Sequence, residues 1–460
     1  MLKQGGERRM IEALNGESLR AGPEAAPEPE VVPRPDAARD AETTPEAEAV
    51  PRPGPAPLGP AAVPRETLRD ALGLYLELHA HPELSGAEAR TAERFAARLE
   101  GDGATVTRGV GGHGVVGVLR NGTGPTLMLR AELDALPIDE RTGLAYASTV
   151  PGTMHACGHD LHLAAAAGAF ALLARSADTW SGTLLVVGQP AEETLEGAAA
   201  LLADGLYERF GTPDVVLAQH TAPLPAGSLA HGRGPMMAAS AALDVVIHGY
   251  GGHAGTPQLT VDPVVTAAAT VMRLQTVVSR ETAPSDQVVL TVGSLRAGRL
   301  GNVIPDDAEL SITVRAATDQ ALERAVAAAE RIVRAECAAS GCPRDPDVTL
   351  VSRSPALLSD PAATAAVRAV HEREFGPHRV ADWPGSMATE DFPRFAVDGV
   401  RTAYWMVGTV SPSQWRAARS AGRPVPPNHS AEFAPDVRTA LPAGIAAMAT
   451  AAGQLFKETG

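Results

Sequence analysis

The segment Met154–Ala164, MHACGHDLHLA, sets Cys157 and His159 two positions apart around Gly158, with His162 close behind. In an extended or turning backbone, residues two apart project to one side, so Cys157 and His159 can face a common centre. Gly158 between them has no side chain to obstruct a close approach. Further polar groups stand at the ends of predicted strands. TLMLRAELD ends in Asp134, TLLVVGQPAEE ends in Glu192 and Glu193, and DVVLAQH ends in His220. Thiolate, imidazole and carboxylate together suit zinc or a neighbouring first-row ion, whereas calcium and magnesium prefer more oxygen. Taken singly, each residue has an ordinary explanation: a buried cysteine is a small hydrophobe, and a glutamate pair is usually solvated. The pair here follows an apolar strand and Gln-Pro rather than sitting on a charged helix face. Open α/β sheets gather ligands beyond the carboxyl ends of their strands, so the clustering points to a metal site. A cysteine-nucleophile hydrolase is the competing reading of Cys157, but its base normally lies far off in sequence, and it would leave the glutamates without work.

The elements that must position these groups follow from patterning. At 460 residues the chain exceeds what one core usually supports, about 250–300 residues, so at least two domains are expected. Residues 1–64 are rich in Pro, Ala and Glu with few large apolar side chains, and are expected to form a disordered leader. From residue 65 to 238, short apolar runs alternate with helical stretches such as LHLAAAAGAFALLARSA, the pattern of an α/β fold with a largely parallel sheet. Residues 239–352 change texture to an α+β unit with helices expected at Asp262–Ser279 and Asp319–Ser340. The α/β pattern resumes over 353–460, so the second unit reads as an insertion into the first.

Composition narrows the function classes. A net charge of −15 argues against nucleic acid or an anionic membrane as the partner. The sequence shows no signal-type segment and no apolar run of membrane-spanning length, and Cys157, Cys337 and Cys342 form no disulfide framework. A cytoplasmic protein with a small-molecule or peptide substrate is expected.

The segments LHAHPELSGAE, LRAELDALPIDE, MHACGHDLHLA, GQPAEETLEGAAALLADG, QHTAPLPAG, HGYGGHAGTPQLTVDPV, GNVIPDDAELSITVR, TEDFPRF and NHSAEF, in this order, resemble one family. It comprises the metal-dependent amidohydrolases that include aminoacylases, hippurate hydrolase and indole-acetyl-amino-acid hydrolases. The resemblance implies a zinc-peptidase-like catalytic domain with an inserted, ferredoxin-like lid that also dimerises. It implies two divalent ions held by Cys157, His159, Glu193, His220 and His429, zinc first among manganese, cobalt and nickel. Glu192 would be left as general acid/base, with Asp134 orienting the ligands. From the lid, His253 would polarise the scissile carbonyl, often in the partner subunit's site, while Asn302 and Arg315 would bind the substrate carboxylate. His79, His81, His155 and His162 are expected to be supporting residues, and Cys337 and Cys342 packing residues of the lid. Several positions depart from the family pattern: Glu132 replaces the common Asp, and SLRAGRLG, MATEDFPRF and the long VSPSQWRAARSAGRPVPPN are this chain's own. All approach the substrate side, and none removes a proposed ligand.

The expected activity is hydrolysis of the amide of an N-acyl amino acid by a homodimeric enzyme, with no nucleic-acid or membrane partner. A dipeptidase or an N-acetyl-diaminopimelate-type deacetylase would use the same centre. A non-catalytic dimeric binding protein of the same fold is the alternative from another class, and would have no need of both glutamates and all the ligands.

Overall fold

A computed structural model describes residues 60–397 and 399–458. The leader expected over 1–64 therefore lies outside the described residues as far as position 59. Pro60–Ala62 form one 3-10 turn, and Val63 packs on the core.

The chain opens with helices α1 (Arg65–Ala80) and α2 (Ala89–Gly101) and strands β1 (Thr105–Val110), β2 (Gly114–Asn121) and β3 (Thr126–Glu132). Then come α3 (His159–Arg175), β4 (Gly182–Gln189), α4 (Gly197–Ala203), α5 (Leu206–Phe210), β5 (Val215–Pro225) and β6 (Leu229–Gly232). The next stretch holds β7 (Ala239–His248), β8 (Gly252–His253), α6 (Pro263–Thr276), β9 (Val288–Ala297), β10 (Val303–Ile304), β11 (Asp307–Ala316), α7 (Asp319–Ala339) and β12 (Asp347–Ser354). The chain closes with α8 (Pro361–Phe375), β13 (Val380–Trp383), β14 (Arg401–Val410), α9 (Pro412–Ser420) and α10 (Val437–Glu458).

The larger sheet runs in the order β1-β2-β4-β3-β5-β14-β6-β13. Its central strands β4, β3, β5 and β14 are parallel, as the α/β pattern predicts. Its margins are mixed. β1 and β2 form an antiparallel hairpin because only three residues join them, two of them Gly111 and Gly112 with positive φ, too few for a parallel crossover. Over LEGAAALLADGLYERF the sequence predicts one helix, but α4 and α5 are separate because Gly205 adopts φ +79° between them.

Helix α3 is apolar on nearly every side and is buried from His159 to Leu173, as a helix without a polar face must be. Its alanines let α10 lie close alongside; a Cβ on Gly168 would come within 2.7 Å of Ile445. Among the described residues α10 is the one helix long and apolar enough to cross a membrane, and 78% of that stretch is buried inside the protein against α3 and α8. Its hydropathy is that of a core element.

The second sheet, β12-β7-β11-β9, is antiparallel throughout. β11 alternates exposed and buried positions over its first eight residues, the signature of a strand with one covered face, and α6 and α7 supply the cover. Asp262 and Thr318 cap those helices by accepting backbone N–H groups. β8 and β10 pair separately as a short antiparallel piece.

Candidate active site

The parallel strands deliver their polar ends to the start of α3. Asp134 follows β3, Glu192 and Glu193 follow β4, and His220 lies in β5. Cys157 and His159 do not share an extended segment: His159 is the first residue of α3, and Gly158, left-handed at φ +85°, turns the chain between them. A Cβ at Gly158 would sit 2.7 Å from the Thr221 methyl, so this turn admits only glycine without rearrangement. His429 arrives from the segment between α9 and α10.

These side chains converge. Cys157 Sγ lies 3.4 Å from His220 Nε2 and 3.3 Å from His429 Nε2. Glu193 Oε1 is 3.4 Å from His429 Nε2 and 3.9 Å from His159 Nε2. Cys157, His159 and His220 form one compact trio of donors, and Cys157, Glu193 and His429 form another, so the thiol belongs to both. Glu192 Oε2 stands 3.8 Å from His159 Nε2, close to the cluster but without a hydrogen bond to it.

Asp134 braces the cluster from behind. Its backbone carbonyl accepts from His159 Nδ1 at 2.8 Å, and its carboxylate accepts from the Glu193 N–H at 2.9 Å and from Ser85 Oγ at 2.7 Å. His159 thereby presents Nε2 to the cluster, as outer partners of ligand histidines do.

The electrostatics are those of a crowded buried site. Burial pushes the Cys157 thiol up, but His220, His159 and His429 outweigh it and hold it well below its usual range. Burial lowers His220, yet the sulfur brings it up to about 9. His429 is raised to about 10, first by Cys157 and then by Glu193. Burial, and after it Glu390 and Glu193, push the Glu192 carboxyl well above the ordinary range.

The donor set fits a divalent ion. Asp134 Oδ1, His159 Nε2 and Glu193 Oε1 are buried without hydrogen-bond partners, a costly arrangement for polar atoms unless something else satisfies them. Imidazole, thiolate and carboxylate around one point are what zinc and its neighbours take.

A cleft of about 610 Å³ opens over the cluster, and Cys157, Glu192, Glu193, His220 and His429 all line it. Met237, Trp383 and Met406 line it as well. Arg315 also reaches the cleft, and its Nη1 donates to the Met387 carbonyl at 2.6 Å. His253 and Asn302 do not. Both are exposed and sit together on the β8–β10 piece, where the Ala254 N–H donates to the Asn302 carbonyl.

Beneath the cluster lies a network that sequence reasoning missed. Arg130, fully buried, is paired with Glu132, Glu390 and Asp391. Glu390 also accepts from Tyr404 Oη at 2.9 Å, and its carboxylate lies close to that of Glu192. The available signal was a lone arginine inside the apolar strand TLMLRAE, since a buried cation must be paired. Three non-glycine residues among those described have left-handed backbone, and all are at the cluster: Ala191 (φ 50°), Leu195 (φ 60°) and His429 (φ 65°).

Residues 128–423, more than half of the chain, match the model of peptidase family M20/M25/M40. The chain belongs to this family. The resemblance drawn from the ordered segments is thereby borne out. N-acetyl-L-cysteine deacetylase of Bacillus subtilis is 35% identical over 75% of this chain and 82% of its own length. Thermostable carboxypeptidase 1 of Saccharolobus solfataricus is 32% identical over 78% of this chain and 89% of its own. Among solved structures, a dinuclear metal binding peptidase of the M20 family from Bacillus subtilis superposes with a TM-score of 0.70 at 26% identity, covering 86% of this chain and all of that one. The α/β fold with its added lid is the M20 fold.

Proposed function

We propose that this M20 protein hydrolyses the amide bond of N-acyl amino acids using two divalent ions held by Cys157, His159, Glu193, His220 and His429. The observation that carries this reading is the double trio of donors around Cys157, with Glu192 beside it and not hydrogen-bonded to it. When bound, the ions would supply a water acidified toward a pKa of about 7 and a Lewis acid for the substrate carbonyl. Zinc is the ion the soft thiolate favours, with manganese, cobalt and nickel as alternatives.

Glu192 accepts the proton of the attacking water and later returns it to the departing amine, a task suited to a carboxyl whose proton affinity burial has raised. Asp134 keeps His159 in the tautomer that presents Nε2. Arg315 binds the free carboxylate of the substrate, for which its planar fork is shaped. The Met237, Trp383 and Met406 wall receives the acyl group.

His253 and Asn302 reach a site only from a second subunit, and a homodimer through the lid supplies it. The apolar face of α6 supports this reading, with Val265 64% and Met272 73% exposed beside the edge strand β9. Met272→Glu should yield a monomer by solution mass measurement. A reducing, cytoplasmic location suits a thiol kept as a ligand.

The relative named a carboxypeptidase favours a second reading, in which the acyl group is a peptide. A panel of N-acyl amino acids, dipeptides and longer peptides, assayed before and after EDTA and with zinc, manganese or cobalt restored, tests both. Turnover of acyl amino acids that chelation abolishes and metal restores is expected. Activity that survives stripping would end the proposal.

A further inference from the structure

We infer that Thr221 is the positioning residue that locks Cys157, His220 and His429 into one cluster. The inference rests on the reading of those three side chains as ligands. They come from separate parts of the chain, and Thr221 is bonded to the segment that carries each of them.

Every polar group of Thr221 is engaged, and the residue is only 2% exposed. Its hydroxyl donates to the Cys157 carbonyl at 2.7 Å and accepts from Asn428 Nδ2 at 3.0 Å. Its carbonyl accepts from His220 Nδ1 at 2.8 Å. That bond engages Nδ1–H and turns Nε2 toward Cys157 Sγ. Asn428 also donates to the Cys157 carbonyl at 3.2 Å, which fixes the residue next to His429.

The backbone N–H of Thr221 donates to His162 Nε2 at 2.9 Å. The His162 proton must then be on Nδ1, and it is donated to Glu132 at 2.7 Å, with Glu132 anchored in turn on Arg130. The hub is therefore tied to the buried charges of β3. Its methyl lies 2.7 Å from where a Cβ of Gly158 would stand, so the left-handed turn between Cys157 and His159 closes directly onto it.

Two substitutions separate the hydroxyl from the packing. Thr221→Val keeps the branched shape and removes the hydroxyl, while Thr221→Ser keeps the hydroxyl and removes the methyl. The readout is the affinity of the full-length, metal-stripped protein for zinc, in competition with a chromophoric chelator, together with the melting temperature of the metal-free form. Outer partners of metal ligands are typically worth about 10- to 100-fold in affinity, and Thr221→Val should lose that much. Its metal-free melting temperature should fall by no more than about 4 °C, the effect of the two lost hydrogen bonds in a chain of this size. Thr221→Ser should stay within about threefold of the parent affinity, a small part of that range. Parent-like affinity in Thr221→Val, or equal loss in Thr221→Ser, would overturn the assignment. A parent protein that takes up no zinc or other divalent ion would overturn the ligand reading itself, and the hub with it.

Discussion

Replacing Glu192 by Gln separates catalysis from metal binding more cleanly than any other change at this site. Its carboxylate is 3.8 Å from His159 Nε2, beyond hydrogen-bond range, so the amide forfeits no bond to the cluster. Burial, Glu390 and Glu193 all disfavour its ionised form, so the neutral amide relieves repulsion. The metal-free melting temperature should therefore hold or rise. General acid/base catalysis contributes about 10²- to 10⁴-fold, and a group used for both proton transfers belongs in the upper half of that range. A loss of about 10³- to 10⁴-fold in kcat, or about 4–5.5 kcal/mol of barrier, is expected. Steady-state kinetics on an N-acyl amino acid, paired with elemental analysis of the same sample, reads both quantities. Near-parent kcat at equal metal content, or loss of metal in this variant but not in Glu193→Gln, would refute the division of roles between the two glutamates.

Other outcomes follow from the surrounding structure. Arg130→Met leaves Glu132, Glu390 and Asp391 without their common cation and should destabilise the fold by about 3–5 kcal/mol in denaturant titration. His79, bonded to Asp160 at 2.7 Å and to Glu140, is pulled up to about 9 although burial opposes this. Since that lies above the unfolded value of about 6.5, its stabilising contribution is complete below pH 6.5 and lost as pH rises through about 9. The stability gap between the parent and His79→Asn should therefore shrink over that window, and an unchanged gap would refute the pairing. Arg315→Ala should raise KM about tenfold or more for acyl amino acids while sparing substrates whose carboxylate is amidated.

The site was legible because metal chemistry restricts residue types and strand ends collect them. Cys157, His159, Glu192, Glu193 and His220 could be grouped before any coordinates. Of the extended or turning backbone anticipated between Cys157 and His159, the turning form is the one present, with a left-handed glycine leading into α3. Thr221 and Asn428 were not legible, because a hydroxyl or an amide shows its role only through partners elsewhere in the chain, and Arg130 left a trace as a cation in an apolar strand without revealing its distant partners Glu390 and Asp391. His253 and Asn302 were recognisable by motif, yet the fold leaves both away from the cleft. In the fold, alanine-rich α3 and the alternating β11 read correctly. The antiparallel margin of the large sheet and the break at Gly205 depended on turn geometry that composition only hints at.

The left-handed backbone at Ala191, Leu195 and His429 makes this corner of the molecule a loaded spring. Such conformations cost about 1–3 kcal/mol each and persist only where the surroundings hold them. Stripped of its ions, the protein should slacken here first, with amide protons around Glu192 and His429 exchanging while those of α3 stay protected. The same tension means that a glycine placed at Ala191 would steady the chain and blunt the aim of its neighbouring glutamates, exchanging precision for robustness.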